Sequence, residues 1–332
     1  MGHILNDKQI DFKNYSYLYV STTAKHDTPI LRLPDRKIVN ERTLNYIITD
    51  ESTAIDFFQR VDGRIPIIVV DCELKQKIDL YGLAKKHIKK SEVYTNKPND
   101  MAVESADILL QHHFPGALVG KSILIFGTGN IAFKVALRLA ERSAQVFIDG
   151  RNEQKVSQVV DTINMVIPSY SKYEVQKMDS KNFDGQLDAI VPFISAEKII
   201  EDTYAKWLHS SSISIDGGIG NFSEDYIAAA LEKNTKIIRL DVRIAMPYME
   251  TSLTSLFPTY DFFERVSGEK KIDGIAMVAG GIIGKEGSVI VDRIENPHQI
   301  IGIANGYGGV KNESALSTEE RRSIELLRER VL

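Results

Sequence analysis

Cysteine is almost missing from this chain. Its 332 residues carry Cys72 and no other, so no internal disulfide can form, and a reducing, cytoplasmic setting is the expectation. Charge of one sign is lacking too. A net charge of −4 offers no basic face for phosphate backbones, so no nucleic-acid partner is expected. No apolar run approaches the roughly 20 residues that a membrane helix needs, which argues against a membrane partner. The opening "MGHILNDKQIDFKNYSY" is too polar for a secretory leader. Seven histidines show neither H-E-x-x-H nor a Cys–His cluster, so no metal site is expected. The glycine-rich tail with Gly280, Gly281, Gly284 and Gly287 is no Walker A loop. Ala279 stands where its first glycine is required, and Glu286 follows the lysine.

What is present alternates. The β-branched run "PIIVVD" at 66–71 suits a strand covered on both faces. A helical stretch follows at 73–88, then a polar turn holding Pro98, then helical spacing over 101–113 with Val103, Ala106 and Leu110 on one side. "FPGALVGK", 114–121, reads as a linker. Beyond it the pattern predicts strands at 122–126, 144–149, 173–178, 188–194, 212–216 and 236–241. Helices are predicted between them at 130–142, 153–166, 197–208 and 224–233. The fold class expected is α/β: a doubly wound parallel sheet of Rossmann type, preceded by an N-terminal α/β domain and followed by a C-terminal extension. The boundaries are an N-terminal substrate domain over 1–115, a nucleotide-binding domain over 116–250, and an extension over 251–332. "SVIVD" and "QIIGIAN" read as a β-hairpin there. Ser317 and Glu320, at capping-box spacing, open a terminal helix. The extension is expected to pack on the N-terminal domain or on the partner in a homodimer.

Strand 122–126 runs into Gly127-Thr128-Gly129-Asn130-Ile131-Ala132, a G-x-G-x-x-A spacing, and an amphipathic helix follows at once. Gly127 allows the tight turn and Gly129 a close approach of backbone to a pyrophosphate. The helix N-terminus turns unpaired N–H groups and a positive dipole end on the phosphates. The cofactor is read at the end of the next strand, "VFIDGRN". Arg151, with Asn152 as an added donor, suits the 2′-phosphate of NADP. Asp149 reaching the ribose instead would select NAD. NADP is the expectation and NAD the alternative. Thr128, Asn130, Ile131 and Phe193 complete the expected cofactor contacts. Phe193 ends the fourth strand with Pro192 and Ile194, and Gly217, Gly218 and Gly220 open the exit of the fifth to a ligand.

The entry "GKSILIFGTGNIA", the turn "GRN" and the segment "ISIDGGIG" at 213–220 resemble the shikimate dehydrogenase and methylenetetrahydrofolate dehydrogenase group of two-domain enzymes. The resemblance spans roughly residues 95–245 and is strongest at 120–152. It implies an N-terminal domain that holds substrate and hydride transfer in the interdomain cleft. The family's Asn-Thr-Asp-Gly motif is replaced by "TNKPNDMAVES". Asp100 falls near the family's aspartate, the threonine and glycine are missing, and the shikimate reaction itself is not expected. Lys75 and Lys77 lie nearest in position to the family's catalytic lysine, and Tyr81-x-x-x-Lys85 resembles an element of the folate enzymes.

Hydride transfer needs a companion proton, and Lys97 with Asp100, at the entrance to the cleft-spanning helix, form the catalytic candidate pair. The other roles open to them are a solvated loop lysine and a helix N-cap. His112 and His113 close that helix, and Arg239, Asp241 and Arg243 form either a carboxylate clamp or a surface ion-pair face. The function expected is NADP-dependent dehydrogenation or reduction of a small polar metabolite. Two alternatives stand beside it: a cyclodeaminase-like lyase with bound NAD, and a non-catalytic dinucleotide-binding protein.

Overall fold

The computed structural model describes residues 10–23, 28–74, 78–257, 267–280, 283 and 285–331. The chain divides into two compact units, Met1–Glu250 and Thr251–Leu332.

The first unit holds two sheets. The N-terminal sheet is built from β1 (Tyr17–Ser21), β2 (Ile30–Ile38), β3 (Glu41–Ile48), β4 (Ile67–Asp71) and β5 (Glu92–Asn96), in the order β2-β3-β1-β4-β5. β2 is antiparallel to β3, and the other pairings are parallel. Strand alternation divides its residues cleanly. Leu18, Val20, Leu44, Tyr46, Ile48, Ile68 and Val70 form one core with α1 (Glu51–Val61) and α2 (Leu80–His87). The opposite face carries Tyr19, Thr43, Asn45, Asp71 and Asn96. Tyr19 is in register with Asn45, and Asp71 with Asn96. A buried face this rich in polar groups calls for a partner other than apolar packing.

α3 (Pro98–His113) joins this sheet to the second, made of β6 (Ser122–Phe126), β7 (Gln145–Asp149), β8 (Gln176–Lys177), β9 (Leu187–Pro192), β10 (Leu208–Asp216) and β11 (Lys236–Arg239). Its order is β11-β10-β9-β6-β7-β8, every pairing parallel. Numbered within the sheet this is 3-2-1-4-5-6, the doubly wound Rossmann arrangement, with its switch point between β6 and β9. α3, α4 (Asn130–Glu141) and α5 (Glu153–Val166) cover one face. α6 (Glu224–Glu232) and a 3-10 helix at Asp202–Trp207 cover the other.

Three expectations need correction. The helix expected over 197–208 is that 3-10 helix preceded by extended chain. Lys198 has φ +53°, outside the right-handed helical region, and Ile200 bridges Phe222 as a strand would, while the N–H groups of Lys198, Ile199 and Ile200 donate to the carbonyls of Gly220 and Asn221. The strand expected over 173–178 pairs only at Gln176–Lys177. The helix expected over 73–88 begins at Leu80, where Asp79 caps it.

α7 (Met246–Thr254) follows. The second unit contains β12 (Gly268–Ile272), β13 (Ile275–Ala279), β14 (Val289–Val291) and β15 (Ile300–Ile303), with α8 (Thr318–Val331). β14 and β15 pair antiparallel, the hairpin expected, and Ser317 and Glu320 close a reciprocal capping box on α8. β12 and β13 form a further hairpin around Asp273-Gly274.

Candidate functional site

The corner between β6 and α4 is built by two glycines with different reasons for being there. Gly127 has φ +134°, and a Cβ on it would lie 2.8 Å from the Phe193 carbonyl oxygen. Its place follows from the protein's own geometry. Gly129 has an ordinary φ of −86°, and nothing lies within 4 Å of the Cβ it lacks. Nothing among the described residues requires a glycine at 129.

That space faces the start of α4. Side chains cap α1, α2, α5, α6 and α8, from Asp50, Asp79, Asn152, Ser223 and Ser317. At α3 the Asn99 N–H donates to Glu73. α4 begins on Gly129 with no side-chain cap. Its first-turn donors at Asn130 and Ile131, with the dipole behind them, suit an anion.

The exit of β7 lies alongside. A Cβ on Gly150 would lie 3.3 Å from a Val156 methyl and 3.5 Å from the Thr128 methyl, which puts the two turns side by side. Asp149 is occupied: its carboxylate accepts the Gly150 N–H at 2.7 Å and the Tyr204 hydroxyl at 2.7 Å. Burial, then the bond to Asp149, pushes the Tyr204 hydroxyl pKa far above its ordinary value, so it remains a donor. Arg151 is exposed and has no hydrogen bond or ion pair among the described residues. Asn152 caps α5 through its side-chain oxygen, which leaves its amide N–H groups as donors. Tyr204 did not figure among the expected site residues, because it lies in the stretch read as a helix.

The floor of the corner is protein against protein. Phe193 is buried, and its ring lies where a Cβ on Gly217 would be, at 2.4 Å. A Cβ on Gly218 would meet the Ile194 carbonyl oxygen at 2.2 Å. Asp216 accepts the N–H groups of Gly220 and Asn221, and the Asn221 amide donates to the Ile194 and Ala196 carbonyls. Gly217 and Gly218 thus make room for β9's exit.

Asp100 sits in the first turn of α3, whose N-cap position is Lys97, so Asp100 is not an N-cap. Lys97 reaches it at 2.8 Å, and Lys134 on α4 bonds its other oxygen. Burial raises the Asp100 pKa, but the two lysines outweigh it and hold the carboxyl below its ordinary range. Lys97 is raised by its bond to Asp100. The same helix pair continues with Glu104–Arg138 and a two-toothed Asp107–Arg142 pair at 2.7 Å.

His112 is exposed, and the His113 ring nitrogen lies 3.2 Å from the Ser211 carbonyl, at the start of β10. Both stand at the far end of α3 from Asp100. Tyr81 and Lys85 lie on the exposed side of α2, which covers the apolar face of the N-terminal sheet. Lys75 and Lys77 fall outside the described residues. Arg243 pairs with Asp241 at 2.5–2.9 Å, an ion pair with an exposed guanidinium. Among the described residues no helix is long and apolar enough to cross a membrane, and no group of three or more His, Cys, Asp or Glu is placed to hold a metal.

No family model matches the chain. An uncharacterized oxidoreductase of Schizosaccharomyces pombe is 34% identical over 82 residues, 24% of this chain and 24% of that protein. Dimethylaniline monooxygenase (N-oxide-forming) 2 of Cavia porcellus is 25% identical over 170 residues, 51% of this chain and 29% of that protein. The chain thus spans about a quarter of the length of these curated relatives. Among solved structures it is similar to a shikimate dehydrogenase in complex with NADP+ (16% identity, 79% of this chain, 95% of that one, TM-score 0.46). It is similar also to the shikimate dehydrogenase of Aquifex aeolicus (17%, 74% and 93%, TM-score 0.45). L-tryptophan dehydrogenase of Nostoc punctiforme is a third (11%, 76% and 78%, TM-score 0.45).

Proposed function

We propose that this chain is an NADP-dependent oxidoreductase, moving a hydride to or from a small polar metabolite in the cleft between its N-terminal sheet and its Rossmann sheet. The observation that carries the reading is Gly129: a residue without a side chain, an ordinary backbone, and empty space before an uncapped helix. A pyrophosphate there meets the N–H groups of Asn130 and Ile131. Thr128 lines the turn. Arg151, free of partners, pairs with the 2′-phosphate, and Asn152 adds an amide donor. Asp149 already accepts from Tyr204 and Gly150, while Arg151 beside it has no partner among the described residues, and the two together favour NADP over NAD. Phe193, packed on Gly217, shapes the apolar floor. The shikimate dehydrogenase solved with NADP+ and the oxidoreductase relative support the same class.

The nicotinamide, when bound, supplies or accepts the hydride. Lys97 and Asp100 are the groups proposed for the proton. Asp100, ionised between two ammonium groups, fixes Lys97 at the mouth of α3. Lys97, held protonated, donates to the oxygen of a substrate carbonyl as it is reduced. A cytosolic setting belongs to this reading and is supported by the single cysteine.

The test separates the two glycines. Gly129→Val, in open space, is expected to fold with a stability change of about 1 kcal/mol or less, and to lose NADPH binding by about a hundredfold as the pyrophosphate approach closes. Gly127→Val is expected to compromise the fold, since its φ and its contact with Phe193 exclude a side chain. A fluorescence titration in which stable Gly129→Val binds NADPH as the wild type does would refute the assignment.

A further inference from the structure

Asn45 is the least explained polar residue in the molecule. It lies in the middle of β3, 1% exposed, and neither its amide nitrogen nor its carbonyl oxygen has a hydrogen-bond partner among the described residues. Buried amides left without partners are costly, and native structures rarely keep them without a use. Asn45 also borders a cavity of about 440 Å³ between β2, β3 and the turn that follows β11. Leu33 and Met246 supply apolar wall, and Arg36, Lys37 and Arg243 supply positive charge. The cavity has the volume of a small-metabolite site rather than of a packing defect.

Its charge is one-sided. Asp35, also on the wall, is already met by Arg32 and Arg42 and by the Tyr15 hydroxyl. Asp241 and Arg243 neutralise each other, and Asp241 also lies within electrostatic reach of Arg36, so Arg36 and Lys37 are the wall cations left without an ion pair among the described residues. Arg36 has no hydrogen bond or ion pair among the described residues; its guanidinium lies 5.7 Å from the centre of the Tyr19 ring. Tyr19 is Asn45's cross-strand neighbour, so Arg36 and Asn45 address the same space. A half-buried guanidinium stacked on an aromatic, with its fork of donors unused, is matched by a planar oxyanion. Asn45, offering one donor pair and one acceptor beside it, suits a hydroxyl, carbonyl or amine next to that anion.

We propose that this cavity binds the anionic end of a small metabolite, a carboxylate or a phosphate, with Arg36 gripping the oxyanion and Asn45 bonding the neighbouring polar group. The binding site stands on its own geometry; that the bound molecule is the substrate of the redox step rests on the function proposed above.

The experiment is calorimetric titration of the full chain with two probes: pyruvate, a carboxylate beside a carbonyl, and glycerol 3-phosphate, a phosphate beside a hydroxyl. The wild type is expected to bind one of them saturably, and which one identifies the anion. Arg36→Met and Asn45→Leu are each expected to weaken that binding by about tenfold or more. Asn45→Leu replaces an unpaired amide by an apolar side chain, so its melting temperature is expected to rise, which separates lost binding from lost folding. NADPH titration is expected to be unchanged in both variants. Absence of saturable binding of either probe, or undiminished binding by Arg36→Met, overturns the site. If instead the wild type fails to bind NADPH while the anion still binds in an Arg36-dependent way, the redox reading falls and the anion site remains.

Discussion

In the function proposed, Asp149 and Tyr204 bear on the choice of cofactor through one hydrogen bond. The Tyr204 hydroxyl donates at 2.7 Å to the carboxylate that would read a ribose 2′-OH, and so competes with that hydroxyl for it. Tyr204→Phe keeps the ring, which packs edge-on to Phe126 and Trp207, and removes only that donor. The expected cost in stability is about 1 kcal/mol, measured by urea denaturation. The freed carboxylate is expected to move the NADH-to-NADPH affinity ratio toward NADH by about tenfold, roughly one hydrogen bond's worth. An unchanged ratio in parallel fluorescence titrations would show that Tyr204 has no part in cofactor choice. Gly129 and Arg151 are legible without coordinates, because glycine spacing after an apolar strand has a mechanical meaning. Tyr204 and Asn45 are not. Tyr204 lies 55 positions from its partner, in a stretch whose helical pattern is overridden by backbone bonds to 220–221. Asn45 looks like one polar interruption in "TLNYII" until its neighbours across the sheet are known.

Among the elements, α3 carries the ion-pair ladder that ties it to α4: Asp100–Lys134, Glu104–Arg138 and Asp107–Arg142. The rungs recur at three or four residues on each helix, so each helix turns one charged stripe to the other. Asp100 is the rung that titrates informatively. Its folded pKa lies below the unfolded value of about 4, so its stabilisation is fully present above that pH and is lost as pH falls through the folded pKa. Asp100→Asn is expected to cost about 1 kcal/mol at pH 7, discounted because Lys97 is largely exposed, and to flatten the decline of melting temperature below pH 4. An equally steep decline in the variant would assign the acid sensitivity to other carboxylates. The inner strands β6 and β9 of the Rossmann sheet could be read in advance because strands buried on both faces are continuous apolar runs. Those of the N-terminal sheet could not, apart from β4, because one face alternates Tyr, Thr and Asn into the apolar pattern and β2 contains Pro34. Two tight hairpins carry their own turn signals in the sequence. Val39-Asn40 and Asp273-Gly274 both adopt positive φ, and an Asp-Gly pair between alternating residues is a strong turn signal.

At the scale of the whole molecule, the residues assigned to the cofactor and to the anion cavity all precede position 250. The three hydrophobic cores that hold them are likewise closed within the first unit. The second unit has its own sheet and a smaller core around Met277, Val289, Val291, Ile303 and Leu327. A core of that size lends itself to a separate, weaker unfolding transition. A chain ending after Leu256, which keeps α7 whole, is therefore expected to fold and to bind NADPH with an affinity within about twofold of the full chain's. Its melting curve is expected to lose a transition rather than shift throughout. The cap-free end of α4, Arg151 and the Asp149–Tyr204 pair would all be intact in it. Loss of NADPH binding by a truncated chain whose circular dichroism shows a folded α/β protein would mean that residues beyond 256 supply part of the cofactor site, and the assignment of that site to the β6–α4 corner alone would have to be abandoned.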